Sequence, residues 1–214
     1  MSDDLFREVD EEVRQDQYLR LWKQYGIYIA GVVVTIILIT VGVVVWRGMQ
    51  RSELEANGEE MLAAIAVMEE RPDEALDQLA ALGNEGTKGY RLLARLREAA
   101  LLSERGDARS AVALYDSVAA DSGHEQIYRD LAKLLSVSHG MSVMDRSEVE
   151  DRLAPLVGDD NAWHYSAREL VATAEMSSGD TAAARESFQA LVDDVGAPSG
   201  VRARASEMLA ILTP

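Results

Sequence analysis

The sequence contains no cysteine, which excludes disulfide bonds, thiolate metal centres, a cysteine nucleophile and cysteine-linked lipid anchors. Glycine and proline are also scarce, with 15 and 4 residues among 214, and only two phenylalanines occur. Basic residues number 21 against 37 acidic residues, so the net charge of -16 disfavours binding to nucleic-acid phosphates unless basic residues cluster strongly. The sequence shows no such cluster. The rest is rich in alanine and other good helix formers, which predicts an all-α protein.

An uncharged apolar stretch occupies residues 26–46, which read GIYIAGVVVTIILITVGVVVW. As an α-helix rising about 1.5 Å per residue, this stretch is about 30 Å long, which matches the hydrocarbon thickness of a bilayer. A buried core helix seldom runs this long without a polar face, so the pattern predicts a transmembrane helix. Its membrane-interface aromatics would be Trp22, Tyr25 and Tyr28 at one boundary and Trp46 at the other.

The apolar stretch is interpreted as a retained signal anchor rather than a cleaved signal peptide. Seven acids precede it, and no small-x-small cleavage site follows it. Four basic residues lie before the stretch and two lie within twenty residues after it, namely Arg7, Arg14, Arg20 and Lys23, and then Arg47 and Arg51. By the positive-inside rule, this bias predicts a single-pass protein with its N-terminus inside and its C-terminus outside. In a bacterial inner membrane, the residues after the anchor would then lie in the periplasm. Residues 1–25 would be a cytoplasmic tail, 26–46 the transmembrane helix and 47–214 a periplasmic domain.

Beyond the anchor, the sequence has the periodicity of amphipathic helices and lacks the alternation typical of strands. Apolar residues share one side of a predicted helix over residues 90–104, namely Leu92, Leu93, Leu96, Ala99 and Ala100. Gly106 then suits a left-handed C-cap, and Asp107 can accept hydrogen bonds from the first free amides of a second helix. The pattern therefore predicts two helices joined by a tight turn.

The same pattern recurs 73 residues later. Ala99, Gly106, Asp107, Ala111 and Tyr115 correspond to Ala172, Gly179, Asp180, Ala184 and Phe188, and Ala63, Ala75 and Leu79 lie 36 residues before the first set. Residues 124–157 supply a less regular unit between the two sets. We expect the small residues where the two helices of a hairpin touch, and the aromatic ring in the gap toward the next unit. The spacing predicts four helical hairpins stacked as an α-solenoid.

These spacings resemble the tetratricopeptide repeat, which has small residues at its eighth and twentieth positions and an aromatic at its twenty-fourth. Ala99, Ala111 and Tyr115 match, as do Ala172, Ala184 and Phe188. The repeats are degenerate, because Arg95 stands at an apolar position and Leu102 replaces the usual tyrosine. Gly123 and Gly196 likewise replace the terminal proline.

The order of acidic tail, single span and divergent repeats resembles the YfgM family of bacterial inner-membrane proteins. The most telling stretches are YRLLARLREAALLSERGDARSAVALYDSVAADSG and SARELVATAEMSSGDTAAARESFQAL, which look like the alphaproteobacterial branch of that family. The resemblance implies an ancillary partner of the Sec translocon and of periplasmic folding factors, notably a membrane-anchored prolyl-isomerase-like chaperone.

The sequence offers little catalytic chemistry. No two of the histidines, which are His124, His139 and His164, have the spacing that places two metal ligands on one helical face. No phosphate-binding, dinucleotide-binding or nucleophile-elbow motif is present. We therefore expect no enzymatic activity, metal, cofactor or small-molecule substrate. Asp159 and Asp160 are interpreted as caps of the following helix.

Trp163 and Tyr165 belong to the densest aromatic cluster outside the anchor. These rings either pack between repeats or contact a bound partner. The leading hypothesis for the whole chain is a membrane-anchored protein-interaction scaffold. The alternative hypothesis is an adaptor for envelope enzymes of peptidoglycan synthesis, cell division or cytochrome assembly, in which such repeats also occur.

Overall fold

The computed structural model describes the backbone of residues 2–212 and the side chains of residues 23–212. Within this range the chain forms nine α-helices and no strand, so the predicted all-α fold is confirmed. The helices are α1 (Ser2–Val67), α2 (Pro72–Glu85), α3 (Lys88–Glu104), α4 (Ala108–Ala120), α5 (Gln126–Gly140), α6 (Arg146–Leu153), α7 (His164–Ser177), α8 (Thr181–Asp193) and α9 (Ser199–Leu212). The chain divides into two compact units, Met1–Glu55 and Ala56–Pro214.

The first unit contains the apolar part of α1. An 18-residue window within Lys23–Val67 has a mean hydropathy of 2.8, and none of that window is buried. The two threonines of the stretch do not leave their hydroxyls unpaired, because Thr35 donates to the carbonyl of Gly31 and Thr40 to that of Ile36, both at 2.8 Å. This helix is therefore long and apolar enough to cross a bilayer, with its polar groups satisfied internally.

The second unit is a series of antiparallel helix pairs. Residues 56–67 of α1 pair with α2, α3 with α4, α5 with α6 and α7 with α8, and α9 packs last against α8. We call the first helix of each pair its A helix and the second its B helix. Successive A helices also contact one another, from α3 to α5, α5 to α7 and α7 to α9. This arrangement is the predicted solenoid of four hairpins, followed by one additional helix.

The turns inside the second and fourth hairpins have matching backbone hydrogen bonds. Gly106 and Gly179 both have φ of 86°, a conformation that glycine adopts without the steric cost of a side chain. The amide of Asp107 donates to Leu102 at 2.9 Å, and that of Asp180 to Glu175 at 3.0 Å. Each aspartate then caps its B helix, accepting at 3.1 Å from the third amide along. The 73-residue sequence repeat is thus also a repeat of turn geometry.

Small residues lie at the contacts between A and B helices. Ala99, Ala111 and Tyr115 are at most 1% exposed and share one cluster. In the fourth hairpin Ala172, Ala184 and Phe188 are all 0% exposed and share another. Because the side chains at these positions are single methyl groups, the two helices approach closely and the aromatic ring fills the adjacent space.

The first hairpin corrects one residue of the predicted register. Ala75 and Leu79 are fully buried, but Ala63 is exposed and Ala64 is buried in its place. The turn between α1 and α2 differs from the one between α3 and α4, because it has four residues instead of three and no left-handed glycine. The spacing of the second hairpin therefore does not apply to the first, and the contact residue of α1 lies one position later than expected, which is a rotation of about 100°.

Two arginines of the short helix α6 tie the third hairpin to its neighbours. Arg152 donates to Asp116 of α4 at 2.8 Å, and Arg146 donates to Asp180 at the start of α8, also at 2.8 Å. The bond from Arg146 holds the pKa of the Asp180 carboxyl below its ordinary value. Because α6 has only eight residues and buries two of them, these charge-assisted bonds supplement a small apolar contact.

Candidate protein-binding surface

Several large apolar side chains of the A helices are exposed on the side that faces away from the B helices. In α3, Leu93 lies about 120° around the helix from Ala99, which contacts the B helix. Leu93 is 54% exposed, and residues at similar angles are exposed on the neighbouring A helices. We call this set the inner face, and its members are Leu62 (68%), Ile65 (42%), Leu93 (54%) and Tyr128 (44%). A row of exposed apolar groups on consecutive helices can accept an apolar segment of another protein.

The sequence analysis did not identify the inner face, because it wrongly placed Leu93 on the same side of the helix as Ala99. The signal was nevertheless present in the sequence. Once Ala99 is fixed as a helix-contact residue, a helical wheel places Leu93 away from the contact. For the first hairpin the same reasoning fails, because the register there is shifted by one residue. Leu62 and Ile65 are assigned correctly only when Ala64 replaces Ala63 as the contact residue.

Trp163 and Tyr165, the candidate partner contacts, both make contacts within the chain. Trp163 donates from Nε1 to the carbonyl of Ile127 at 3.0 Å, and its ring packs against the cluster around Leu153. Tyr165 packs against the cluster around Phe188. Both side chains are partly buried by these contacts, and their contact with a partner stays a prediction.

The aspartates before α7 do not cap it, contrary to the sequence interpretation. Asp159 forms an ion pair with Arg168, and α7 begins without a side-chain cap at Trp163. The nearby Asn161 accepts from the amide of Trp163 at 2.8 Å instead. The loop before α7 is held by the ion pair of Asp159 with α7 and by a hydrogen bond from Asn161 to Asp130 of α5. The helix therefore starts later than the sequence suggested.

The aromatics proposed to lie at a membrane interface are exposed wherever they are described. Tyr25, Tyr28 and Trp46 are 48%, 70% and 64% exposed. Trp22 lies outside the residues whose side chains are described. Their position in the headgroup zone of a membrane stays a prediction.

Titratable groups of the second unit are used for packing rather than gathered into a reactive centre. Burial, together with the charge of Glu104, raises the pKa of Tyr115 to about 12, so its hydroxyl stays protonated at neutral pH. That hydroxyl lies 3.3 Å from Nδ1 of His139. His164 contacts the carbonyl of Asn161, and His124 lies beside Asp121. Over residues 23–212 no group of three histidine or acidic side chains is arranged to hold a metal ion.

Comparison with known protein families matches residues 20–199 to the tetratricopeptide repeat-like domain. The matched segment covers most of the 214-residue chain and includes the apolar part of α1 as well as the hairpins. Comparison with curated proteins and with solved structures gives no match. Domains of this type are typically non-catalytic modules for protein–protein interaction, which agrees with the stacked hairpins and their exposed inner face.

Proposed function

Because the chain belongs to the tetratricopeptide repeat-like family, we propose that it is a membrane-anchored scaffold that binds other proteins through its inner face. The observation that carries this proposal is the row of exposed apolar side chains on consecutive A helices. Burying such side chains against a partner contributes about 25 cal/mol per Å² of apolar surface removed from water, less the cost of association. No catalytic residue is required for this function.

In this proposal the apolar stretch at 26–46 crosses a bacterial inner membrane. The tail at 1–25 lies in the cytoplasm and the domain at 47–214 in the periplasm. The support is the unburied apolar helix, the exposed aromatics beside it and the excess of basic residues before it. A reporter that is active only in the periplasm, fused after residue 214, is expected to be active. Activity only of a cytoplasmic reporter at the same site would reverse the orientation.

The partners we propose are the Sec translocon and a membrane-anchored periplasmic chaperone, and the support is the resemblance to the YfgM family. Confinement to the same membrane raises the effective concentration of the two proteins, so an interaction that is weak in solution can still be populated. Deleting the span is therefore expected to reduce partner recovery while the helical hairpins remain folded.

The test is site-specific photo-crosslinking in native membranes followed by mass spectrometry. A photo-reactive residue at Leu93 or Leu62 is expected to capture protein partners. The same residue at Ala113, which is exposed on α4, serves as the control. Capture of translocon and chaperone subunits from the inner face alone supports the proposal. Capture of cell-wall or haem-assembly enzymes would favour the envelope-enzyme adaptor, and equal capture from Ala113 would contradict binding at the inner face.

A further inference from the structure

A cavity of about 490 Å³ lies between α1 and α2 of the first hairpin. All of its lining residues belong to residues 57–86, and none belongs to α3. The contacts with α3 are made elsewhere, where Gly58 approaches the hydroxyl of Tyr90 and Arg95 donates to the carbonyl of Gly83 at 3.1 Å. The next hairpin therefore does not cover the cavity.

The cavity has an apolar part formed by short side chains. Ala63, Ala81 and Leu82 line it, and the first two are exposed. Because two of these side chains are single methyl groups, they leave room for the hydrocarbon stem of an incoming side chain. A stem of three or four methylene groups would be removed from water there, which favours binding.

The polar part of the cavity contains two carboxylates without an ion-pair partner. Glu60 and Glu85 line it, are exposed and form no ion pair with any described residue. The amides of Gln78 and Asn57, which also line it, are already hydrogen-bonded, because Gln78 Nε2 donates to Glu74 at 3.1 Å and Asn57 Oδ1 accepts from the amide of Thr87 at 2.7 Å. Glu60 and Glu85 are therefore available to a bound cation.

The surrounding hairpin is the most acidic part of the second unit. Residues 56–86 contain eight acids and one base, Arg71, which is itself paired with Glu74 at 2.5 Å. This segment therefore has a net charge of -7, where the whole chain has -16. Such a concentration of negative charge attracts cations and repels anions.

We propose that this cavity binds a lysine or arginine side chain of the partner protein. This inference rests on the proposed function and specifies the chemistry of the partner. The stem of the bound residue lies along Ala63, Ala81 and Leu82, and its charged end donates to the carboxylates of Glu60 and Glu85. An ammonium or guanidinium group supplies several donors, and the two carboxylates supply the acceptors. A metal ion is a poorer occupant, because no three carboxylate or histidine side chains converge there.

The experiment follows the methyl signals of Ala63 and Ala81 in the full chain, held in nanodiscs of uncharged lipid. The probes are three capped peptides of sequence Gly-Ser-X-Ser-Gly, in which X is arginine, lysine or citrulline, the neutral analogue of arginine. The arginine and lysine peptides are expected to shift both methyl signals. The citrulline peptide is expected to bind at least about tenfold more weakly, because the charge is lost while the shape is kept.

Two variants test the two parts of the cavity separately. Glu60→Gln with Glu85→Gln is expected to weaken binding of the arginine peptide at least about tenfold. Ala63→Leu fills the apolar part without changing any charge and is expected to abolish the shift of Ala81. The matched control is Glu70→Gln with Asp77→Asn, which removes two exposed acids of the same hairpin outside the cavity. The control is expected to stay within about twofold of the wild type.

Three results would overturn the proposal: no shift with either basic peptide, equal binding of the citrulline peptide, or equal weakening by the control variant. The last would mean that the general negative field attracts the peptide. Photo-crosslinking from Leu93 distinguishes failure of the cavity proposal from failure of the scaffold proposal. If Leu93 captures partners equally well in the wild type and in the Glu60/Glu85 variant, the cavity proposal fails while the scaffold function stands. If the basic peptides bind as expected but Leu93 captures nothing, the scaffold proposal fails instead.

Discussion

Gly140 offers a sharp test of how closely the second and third hairpins pack. It lies at the end of α5 and is buried. A Cβ atom added there would lie 2.3 Å from Cγ2 of Val112 and 2.8 Å from Cε of Met144. Carbon atoms in contact are normally about 3.5 to 4.0 Å apart, so α4 and α5 must separate by more than about 1 Å or the side chains must move.

Two opposing terms decide the effect of Gly140→Ala. Alanine is favoured over glycine in a helix by up to about 1 kcal/mol, and less at a helix end. Overpacking costs about 1 to 3 kcal/mol, and Val112 cannot easily move because its branched side chain has few rotamers. Methionine is more adaptable, so the contact with Val112 dominates. We expect a net destabilisation of about 1 to 2 kcal/mol and a Tm lower by about 2 to 8 °C.

The measurement is thermal and urea unfolding of the full chain in detergent, followed by circular dichroism. Gly89→Ala is the matched control, because a Cβ there meets nothing within 4 Å, and it is expected to be neutral or stabilising. Val112→Ala removes the clashing methyl group, so the double variant should be more stable than the sum of the single changes predicts. Equal stability of Gly140→Ala and the wild type would refute the packing distance, and full additivity would refute the role of Val112.

Three further outcomes are expected from unfolding measurements. Ala64→Leu should lower the free energy of unfolding by about 1 to 3 kcal/mol because of overpacking, whereas Ala63→Leu should leave it nearly unchanged. A larger effect of Ala63→Leu would support the register expected from the sequence. Tyr115→Phe should lower the free energy of unfolding by about 0.5 to 1.5 kcal/mol, because the hydroxyl contact is lost, and Tyr115→Ala should lower it by about 3 to 5 kcal/mol, because the ring is lost. Similar values for the two variants would show that the ring is not packed. Capping lowers the pKa of Asp107 in the folded state, and the hydrogen bond from Arg146, together with the cap, lowers that of Asp180. Their contribution to stability is therefore complete above the ordinary pKa of 3.8 and is lost as the pH falls below it. Asparagine also caps but does not titrate, so replacing both with asparagine should flatten the fall of Tm below about pH 4, and an unchanged acid profile would contradict this assignment.

Local sequence signals predicted the turns, because the residues responsible determine the conformation and the hydrogen bonds of the backbone within a few residues of themselves. Gly106 permits the left-handed conformation and Asp107 caps the next helix whatever surrounds them. The cap expected from Asp159 failed for the opposite reason. Its partner, Arg168, lies nine residues away, and an ion pair of this kind competes with capping in a way that local pattern does not reveal.

The sequence by itself determined the apolar helix, the helical class of the remainder and the two hairpins related by 73 residues. Composition, periodicity and turn residues are properties of short segments, so no knowledge of distant contacts is required. Tertiary structure alone decided the inner face, the cavity beside Gln78 and the exchange of Ala63 for Ala64. These features depend on how one helix is rotated against another, and a shift of one residue along a helix changes that rotation by about 100°. Which side chains remain exposed for a partner follows from that rotation.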